Sequence, residues 1–346
     1  MAVDLMSISF RKIQGKARFH NPLRGFALEE APYEIRFDPL TGETGRVFDL
    51  PFKAGRPDIS ETVRRSRDLF CPFCPETMEK STPLFPEEVI PEGRVRVGEA
   101  SLIPNMLPFD KYAGVSVFSH HHHIPMEELT PETMANAFSA SQIFIKRVFH
   151  VDPLMQYASI NWNYMPPSGS SMVHPHLQPN CGEFPTNEQR MQVEASKRYA
   201  AENPETFWHD YMEAEKAEAE RYLGEIGSTF WAMSFVPRGF LPDVWCLFSE
   251  HSSLIQVGEQ GLAPFLIGLS RVLKYFNREN ILSFNVSIFS VREGDHFRVN
   301  ARICPRLTPR GIGNSDMAYF QTMHKESFTV RKPESVCQEL REFFQD

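Results

Sequence analysis

Residues 161–180 read NWNYMPPSGSSMVHPHLQPN, and the rest of the chain is organised around them. His174, Pro175, His176, Leu177 and Gln178 stand near the end, behind a Pro-Pro-Ser-Gly-Ser-Ser loop. In extended backbone alternate side chains share a face, so His174, His176 and Gln178 are expected on one side of a strand. The small residues Ser168, Gly169, Ser170 and Ser171 leave backbone N–H groups approachable by an anionic phosphate. A histidine nucleophile, an amide and a Gly/Ser loop suit transfer of a phosphorus group. A bare His-x-His would be read as two half-buried histidines after a turn; the loop and Gln178 add the chemistry.

Outward from this stretch, residues 157–163 read as the preceding strand, and 130–148 as a helix before it. Thr130 is its N-cap and Pro131 its first residue, with Met134, Phe138, Ile145 and Val148 on the buried side. Residues 94–103 and 113–119 read as strands; the second ends in Phe118-Ser119 and the run His120 to His123. That run is a solvated turn or supplies a metal ligand. Cys71-x-x-Cys74 has the spacing of half a metal site, with a redox dithiol or two inert thiols as rivals. Lys53 and Arg56, on a loop before Pro57, could hold a phosphate or be solvated. Residues 33–57 read as strand, turn, strand, with Pro39 and Gly42 in the turn. Residues 1–30 are expected to be irregular, a partly ordered arm.

Downstream, residues 187–226 form a helical connector in which Glu213, Glu215, Glu218 and Glu220 give a solvated face. The second half then repeats the plan of the first. DVWCLFS at 243–249 echoes GVSVFS at 114–119, with histidine soon after both. A helix over 261–276 and strands over 284–291 and 296–304 follow, so the order strand, helix, strand, strand occurs twice. In the second copy Arg298 to Arg302 take the place of the His-Pro-His strand. Pro333 opens a closing helix with Val336, Leu340 and Phe344 at i, i+4, i+8.

The 346 residues suffice for two domains or one large one, and the hydrophobic content of 42% is ordinary for a globular chain. No apolar run approaches the length of a membrane span, and the N-terminus has no long apolar core, so neither membrane insertion nor secretion is expected. The net charge of −8 argues against nucleic-acid binding. Six scattered cysteines do not make a secreted disulfide framework. A cytoplasmic enzyme is the expectation.

The chain resembles the galactose-1-phosphate uridylyltransferase family of the histidine-triad superfamily. The resemblance runs from about Arg36 to the C-terminus. It is carried by FDPLTGE at 37–43, Lys53-x-x-Arg56-Pro57, CPFCPE at 71–76, VFSHHHH at 117–123, SGSSMVHPHLQP at 168–179 and the closing helix. It implies an α+β fold: two histidine-triad-like halves, residues 31–185 and 186–346, each an antiparallel sheet with packed helices. It implies His176 as nucleophile, attacking the α-phosphorus of a nucleoside diphosphate sugar, and ping-pong transfer of a nucleoside monophosphate, UMP by analogy, to a sugar 1-phosphate. Gln178 resembles the family's amide donor, and Asn163 and Ser171 match nucleotide- and phosphate-binding positions. Cys71, Cys74, His174 and one histidine of the run resemble a structural zinc set, one per subunit. The alignment favours His122 and leaves His121 and His123 open.

Three departures stand out. Lys53 replaces the first of two phosphate-binding arginines. Asn300 and Arg302 stand where many members carry a His-x-His iron site, so that second metal is predicted to be absent. Phe320-Gln321 replaces the sugar-reading Tyr-Glu pair, which puts galactose in doubt; His324 and Lys325 face sugar phosphate or solvent. The alternatives are a phosphorylase using phosphate as acceptor, on a nucleotide sugar or dinucleoside polyphosphate, and a zinc-stabilised binding protein without turnover. The resemblance further implies a homodimer.

Overall fold

The computed structural model describes residues 8–309 and 313–345. The first half carries strands β1 (Lys12–Asn21), β2 (Ala27–Phe37) and β3 (Thr44–Val47), then helices α1 (Ser60–Arg67) and α2 (Pro75–Ser81). Strands β4 (Val95–Val97), β5 (Ala100–Pro104) and β6 (Tyr112–Val117), helix α3 (Pro131–Val151), and strands β7 (Tyr157–Tyr164) and β8 (His176–Gly182) follow. A connector of α4 (Asn187–Glu202) and α5 (Phe207–Glu218) leads to β9 (Tyr222–Ile226), β10 (Thr229–Met233) and β11 (Val244–Phe248). Then come α6 (Glu259–Arg278), β12 (Ser283–Val291), β13 (Asn300–Arg306), α7 (Tyr319–Thr322), β14 (Ser327–Thr329) and α8 (Pro333–Leu340).

The ten-stranded sheet has the order β4-β5-β6-β8-β7-β12-β13-β11-β10-β9. It is a palindrome of the two copies. Strand β7 meets its counterpart β12 at the centre, β8 matches β13, β6 matches β11, and the two outer hairpins match each other. Every pairing in it is antiparallel. The repeat of strand, helix, strand, strand is therefore one duplicated α+β unit whose copies share a continuous sheet. In each copy a helix crosses over between the third strand and the fourth.

One face of the sheet carries α3 and α6 and the main core. Helix α3 starts where the cap signals place it: Thr130 and Thr133 form a reciprocal capping box, with Pro131 inside the first turn. Met134, Phe138, Ile145 and Val148 are fully buried. Each such side chain stabilises by about 1.5–3 kcal/mol. On the opposite face, α5 packs Phe207, Trp208 and Tyr211 onto Phe230, Trp245 and Leu247 of the second half. At the other end of that face, Cys71, Phe73 and Met78 pack onto Ile103, Val115 and Val117. The central strands between these two covers stay polar, which sets the place of the groove described below.

The helical connector expected over 187–226 ends at Glu218, with Tyr222–Ile226 forming β9, and two further expectations about these elements need correction. Of the arm expected to be irregular, residues 1–7 lie outside the described residues, but β1 and β2 pair in register over Lys12–Asn21 and Ala27–Phe37. Apolar alternation fails to announce this ribbon because both of its faces are mostly exposed. The second correction is Glu215. It is fully buried and not on a solvated face: Arg221 Nε donates to it at 3.0 Å and Tyr211 Oη at 2.9 Å.

Candidate functional site

Strand β8 begins at His176, so His174 precedes the strand instead of sharing it. The alternation begins one motif residue later than expected. Along β8 the half-exposed residues are Gln178 and Asn180, and along β7 Tyr157, Asn161 and Asn163. Asn161 pairs with Gln178, Asn163 with Asn285, and Asn161 with Ser287. Three adjacent strands thus present Gln178, Asn180, Asn161, Asn163, Asn285 and Ser287 on one face, with Leu177, Ile160, Trp162 and Val286 buried on the other. Sequence reasoning missed Asn161, Asn180, Asn285 and Ser287. The period-two signal was present for the first two, and the partnership of β12 with β7 was the missing information for the others. A cavity of about 220 Å³ opens at one end of this stripe, lined by Phe109, Asp110, Asn161, Asn180 and Phe289 among others.

His176 lies at the start of the stripe, 6% exposed. Its Nδ1 donates to the carbonyl of His174 at 2.9 Å, because a carbonyl can only accept. That fixes the tautomer and leaves Nε2 with its lone pair. Burial lowers the ring's pKa, against a smaller opposing effect of the carbonyl, so the imidazole is neutral near pH 7. The ring of Phe73 packs beside it, centroids 5.2 Å apart.

The Ser/Gly loop is closed by its own hydrogen bonds. Ser168 Oγ donates to the Met165 carbonyl at 2.7 Å and Ser170 Oγ to the Met172 carbonyl at 2.6 Å. Those two hydroxyl hydrogens are engaged, and Ser171 is exposed. Gly169 has φ 88°, a left-handed turn that favours glycine. Against expectation, the amides of Ser168 and Gly169 are spent on the carbonyls of Met165 at 3.1 Å and Pro166 at 2.8 Å, while among the described residues those of Ser170 and Ser171 meet no backbone carbonyl. Lys53 and Arg56 are both exposed, and among the described residues neither hydrogen-bonds to His176 or this loop. Lys53 lines a separate cavity with Asp49, Arg278 and Glu339. Arg56 donates to the carbonyl and side chain of Asn277 at 3.4 Å each. His324 and Lys325 are exposed as well. Asn300 and Arg302 are engaged internally: Arg302 pairs with Asp243 at 3.1 Å, and Asn300 accepts from Trp245 at 3.2 Å and donates to Gln192 at 3.0 Å.

Cys71, Cys74, His122 and His174 converge, one donor atom from each within 4.8 Å of the others. Proton accounting shows what the cluster can hold. His174 Nε2 donates to the Ser119 carbonyl at 2.9 Å, so its Nδ1 is unprotonated. Ser66 Oγ gives its only hydrogen to the Val63 carbonyl. It therefore accepts from His122 Nε2 at 3.0 Å, which leaves His122 Nδ1 unprotonated too. These lone pairs face sulfur: His122 Nδ1 is 3.3 Å from Cys74 Sγ, and His174 Nδ1 is 3.7 and 3.8 Å from Cys71 and Cys74. A tetrahedral ion with bonds of about 2.0–2.3 Å has ligand-to-ligand edges of about 3.3–3.8 Å. Without a cation, burial and then Cys71 push the Cys74 thiol up to about 12. Burial holds His174 down at about 4. Two neutral imidazoles and two thiols able to lose protons fit a metal cation, and His122 is the member of the run that joins them. Thr77 braces the turn: its single hydroxyl hydrogen is shared between the carbonyls of Cys71 at 2.6 Å and Cys74 at 2.9 Å.

No protein-family model matches the chain. An uncharacterised protein of Archaeoglobus fulgidus is 33% identical over 328 residues, covering 94% of this chain and 96% of that protein. Among solved structures, an ADP-glucose phosphorylase from Arabidopsis thaliana superimposes with a TM-score of 0.67 at 17% identity, covering 90% of this chain and 99% of that one. A uridylyltransferase superimposes with a TM-score of 0.65 at 16% identity, covering 90% and 98%. The chain belongs to one family with the archaeal protein, and it shares the fold of the ADP-glucose phosphorylase and the uridylyltransferase.

Proposed function

We propose that the chain is a nucleotidyltransferase that takes a nucleoside monophosphate from a nucleoside diphosphate sugar onto His176 and passes it to a sugar 1-phosphate. The observation that carries this is the His176 ring, neutral and held through Nδ1 so that Nε2 keeps its lone pair at the edge of a polar groove. In the first step Nε2 attacks the α-phosphorus, the bond from that phosphorus to the bridging oxygen breaks, and sugar 1-phosphate leaves. In the second, an acceptor phosphate oxygen attacks the same phosphorus and the imidazole is regenerated. Gln178 and the amides of Ser170 and Ser171 are the donors for the developing charge, Asn163 binds the nucleotide, and Ser168 and Gly169, whose own amides are spent on the Met165 and Pro166 carbonyls, shape the loop. The cavity beside Asn161 and Asn180 is the place for the nucleoside. UMP is the group the family resemblance favours.

Cys71, Cys74, His122 and His174 would hold one zinc ion per chain. Four protein donors leave no open position, so the ion serves structure, tying the approach to β8 to two distant loops. Lys53 and Arg56 make no hydrogen bond to the groove within one chain among the described residues, and a homodimer would let a second copy bring its own pair there. The two catalytic-fold halves are residues 31–185, carrying the nucleophile, and 186–346.

A second reading takes inorganic phosphate as acceptor. It is favoured by Gln321, whose amide is spent on its own chain: it accepts from Ala318 N at 2.8 Å and donates to the Asp316 carbonyl at 3.3 Å. Position 321 itself offers no carboxylate to read hexose hydroxyls. Intact-protein mass after incubation with UDP-glucose, UDP-galactose, ADP-glucose or diadenosine tetraphosphate, without acceptor, tests both. A uridylyl adduct that sugar 1-phosphate removes supports the first. An adenylyl adduct that phosphate removes supports the second. Labelling that persists in His176→Asn refutes the nucleophile, and no adduct from any donor favours a binding protein without turnover.

A further inference from the structure

We infer that Asn285 and Arg306, both from the second half of the chain, are positioning residues that lock the amide of Asn163 with its nitrogen towards the groove. Asn163 is thereby a hydrogen-bond donor to an acceptor oxygen in the ribose–phosphate part of a bound nucleotide. This deepens the proposed function and rests on it.

The chain of constraint begins at Asp316, which is 3% exposed. It receives Arg306 Nε at 3.0 Å, Arg306 Nη2 at 2.7 Å and Leu307 N at 3.0 Å. Arg306 Nη1 is left to reach Asn285 Oδ1 at 2.7 Å. A guanidinium has donors only, so the oxygen of the Asn285 amide must face it. The nitrogen of Asn285 must then find acceptors. It donates to the Ser168 carbonyl at 2.9 Å, which can only accept, and to Asn163 Oδ1 at 2.6 Å. With both hydrogens and the oxygen used, the Asn285 amide cannot turn over. Asn163 is forced to show it an oxygen, and Asn163 Nδ2 is left for the groove. Strand register supports the arrangement, since Asn163 and Asn285 face each other directly across the centre of the sheet. The same bond to Ser168 fixes the Ser/Gly loop, so one residue of the second copy sets both a groove donor and the phosphate loop of the first.

Asn285→Asp tests this with almost no change of shape. A carboxylate still accepts from Arg306 but cannot donate, so Asn163 must turn its nitrogen inward and show the groove an oxygen. The readout is covalent nucleotide labelling of His176 against donor concentration. Asn285→Asp should raise the half-saturating donor concentration by about tenfold or more, with a smaller change in the labelling rate at saturation. Asn163→Ala should do the same. In the Asn163→Ala background, Asn285→Asp should add little, because it acts through the missing amide. Additive effects in that double variant, or a single Asn285→Asp that labels like the unchanged protein, overturn the inference. Should Asn285→Asp fail to fold, Arg306→Lys against Arg306→Gln carries the same test. Lysine is donor-only and should keep half-saturation within about threefold, while glutamine can present its own oxygen and free Asn285. Equal losses in the two would refute the orientation argument. Failure of every donor to label the unchanged protein removes the proposed function, and this inference with it.

Discussion

Glu334→Gln should destabilise the protein by about 3 kcal/mol at neutral pH. Glu334, on α8, is clamped by Arg36 at 2.8 and 2.9 Å and by Arg221 at 3.2 Å. Both arginine side chains are only 1% exposed. Burial alone would push the carboxyl up, but the hydrogen bonds and charge of Arg36, helped by Arg221, outweigh it and hold it down at about 2, against an ordinary 4.5. A lowering of that size is worth about 3 kcal/mol. Removing one partner of a buried ion pair costs about 3–5 kcal/mol, and glutamine turns an N–H donor towards a guanidinium at one of its two positions. Glu34 remains on Arg36 at 2.7 Å and Glu215 on Arg221 at 3.0 Å, which keeps the effect at the lower end. The sign follows from a folded pKa below the unfolded one. The contribution is complete above about pH 4.5 and is lost as pH falls through about 2. Urea unfolding of the two proteins at pH 7 and at steps down to about pH 3 measures the gap. A gap under about 1 kcal/mol at neutral pH, or one that does not narrow on acidification, refutes the reasoning.

Glu215 lies in the same cluster and titrates the opposite way. Burial pushes it up to about 7, only partly offset by Arg221. Its favourable contribution is therefore complete below about pH 4.5 and lost as pH rises through about 7. Glu215→Gln should flatten the fall in stability between those values, and a melting-temperature profile that keeps its slope there would count against this. At the metal cluster, Ser66→Ala removes the hydroxyl that accepts from His122 Nε2 and holds the ring's tautomer. Chelator competition should show metal affinity lower by about 10–100-fold, with unchanged stoichiometry. Unchanged affinity would mean that Ser66 does not orient His122.

How much of this was legible depends on whether the signal is local. Helix α3 announces both its start and its buried stripe within 21 residues, since caps and a 3.6-residue period are properties of one segment. The duplication was legible because GVSVFS and DVWCLFS occupy equivalent strands, β6 and β11, flanking the central pairs. Choosing His122 from a run of four histidines needed the family alignment, because the run itself carries no period that separates its members. The N-terminal ribbon was missed because its residues alternate only weakly between apolar and polar. The link from Asn285 through Arg306 to Asp316 was invisible for a deeper reason. It depends on β12 lying beside β7, and nothing in either strand names its neighbour. The charge cluster of Arg36, Arg221 and Glu334 joins residues as far apart as 298 positions. Each of them alone reads as ordinary surface charge.

The palindromic sheet also explains why, among the described residues, the polar groove lies on the first copy and not at the equivalent face of the second. Counterpart strands offer counterpart faces, and in the second copy that face is roofed by α5, with Trp208 and Tyr211 against Trp245. Under that roof a free histidine would be desolvated with no substrate to meet. The second copy instead places Arg302 over the Trp245 ring at 4.5 Å and pairs it with Asp243. Asn300 is tied to Trp245 and Gln192, so its polar atoms are satisfied without solvent. Packing therefore decides the fate of each copy. Where helices cover the face, its polar residues become internal bonds. Where α2 and the Cys-Pro-Phe-Cys turn cover only the edge, the central strands stay open for chemistry. The second copy is then a support for the first, and Asn285, at the seam between them, is the point where that support reaches the groove.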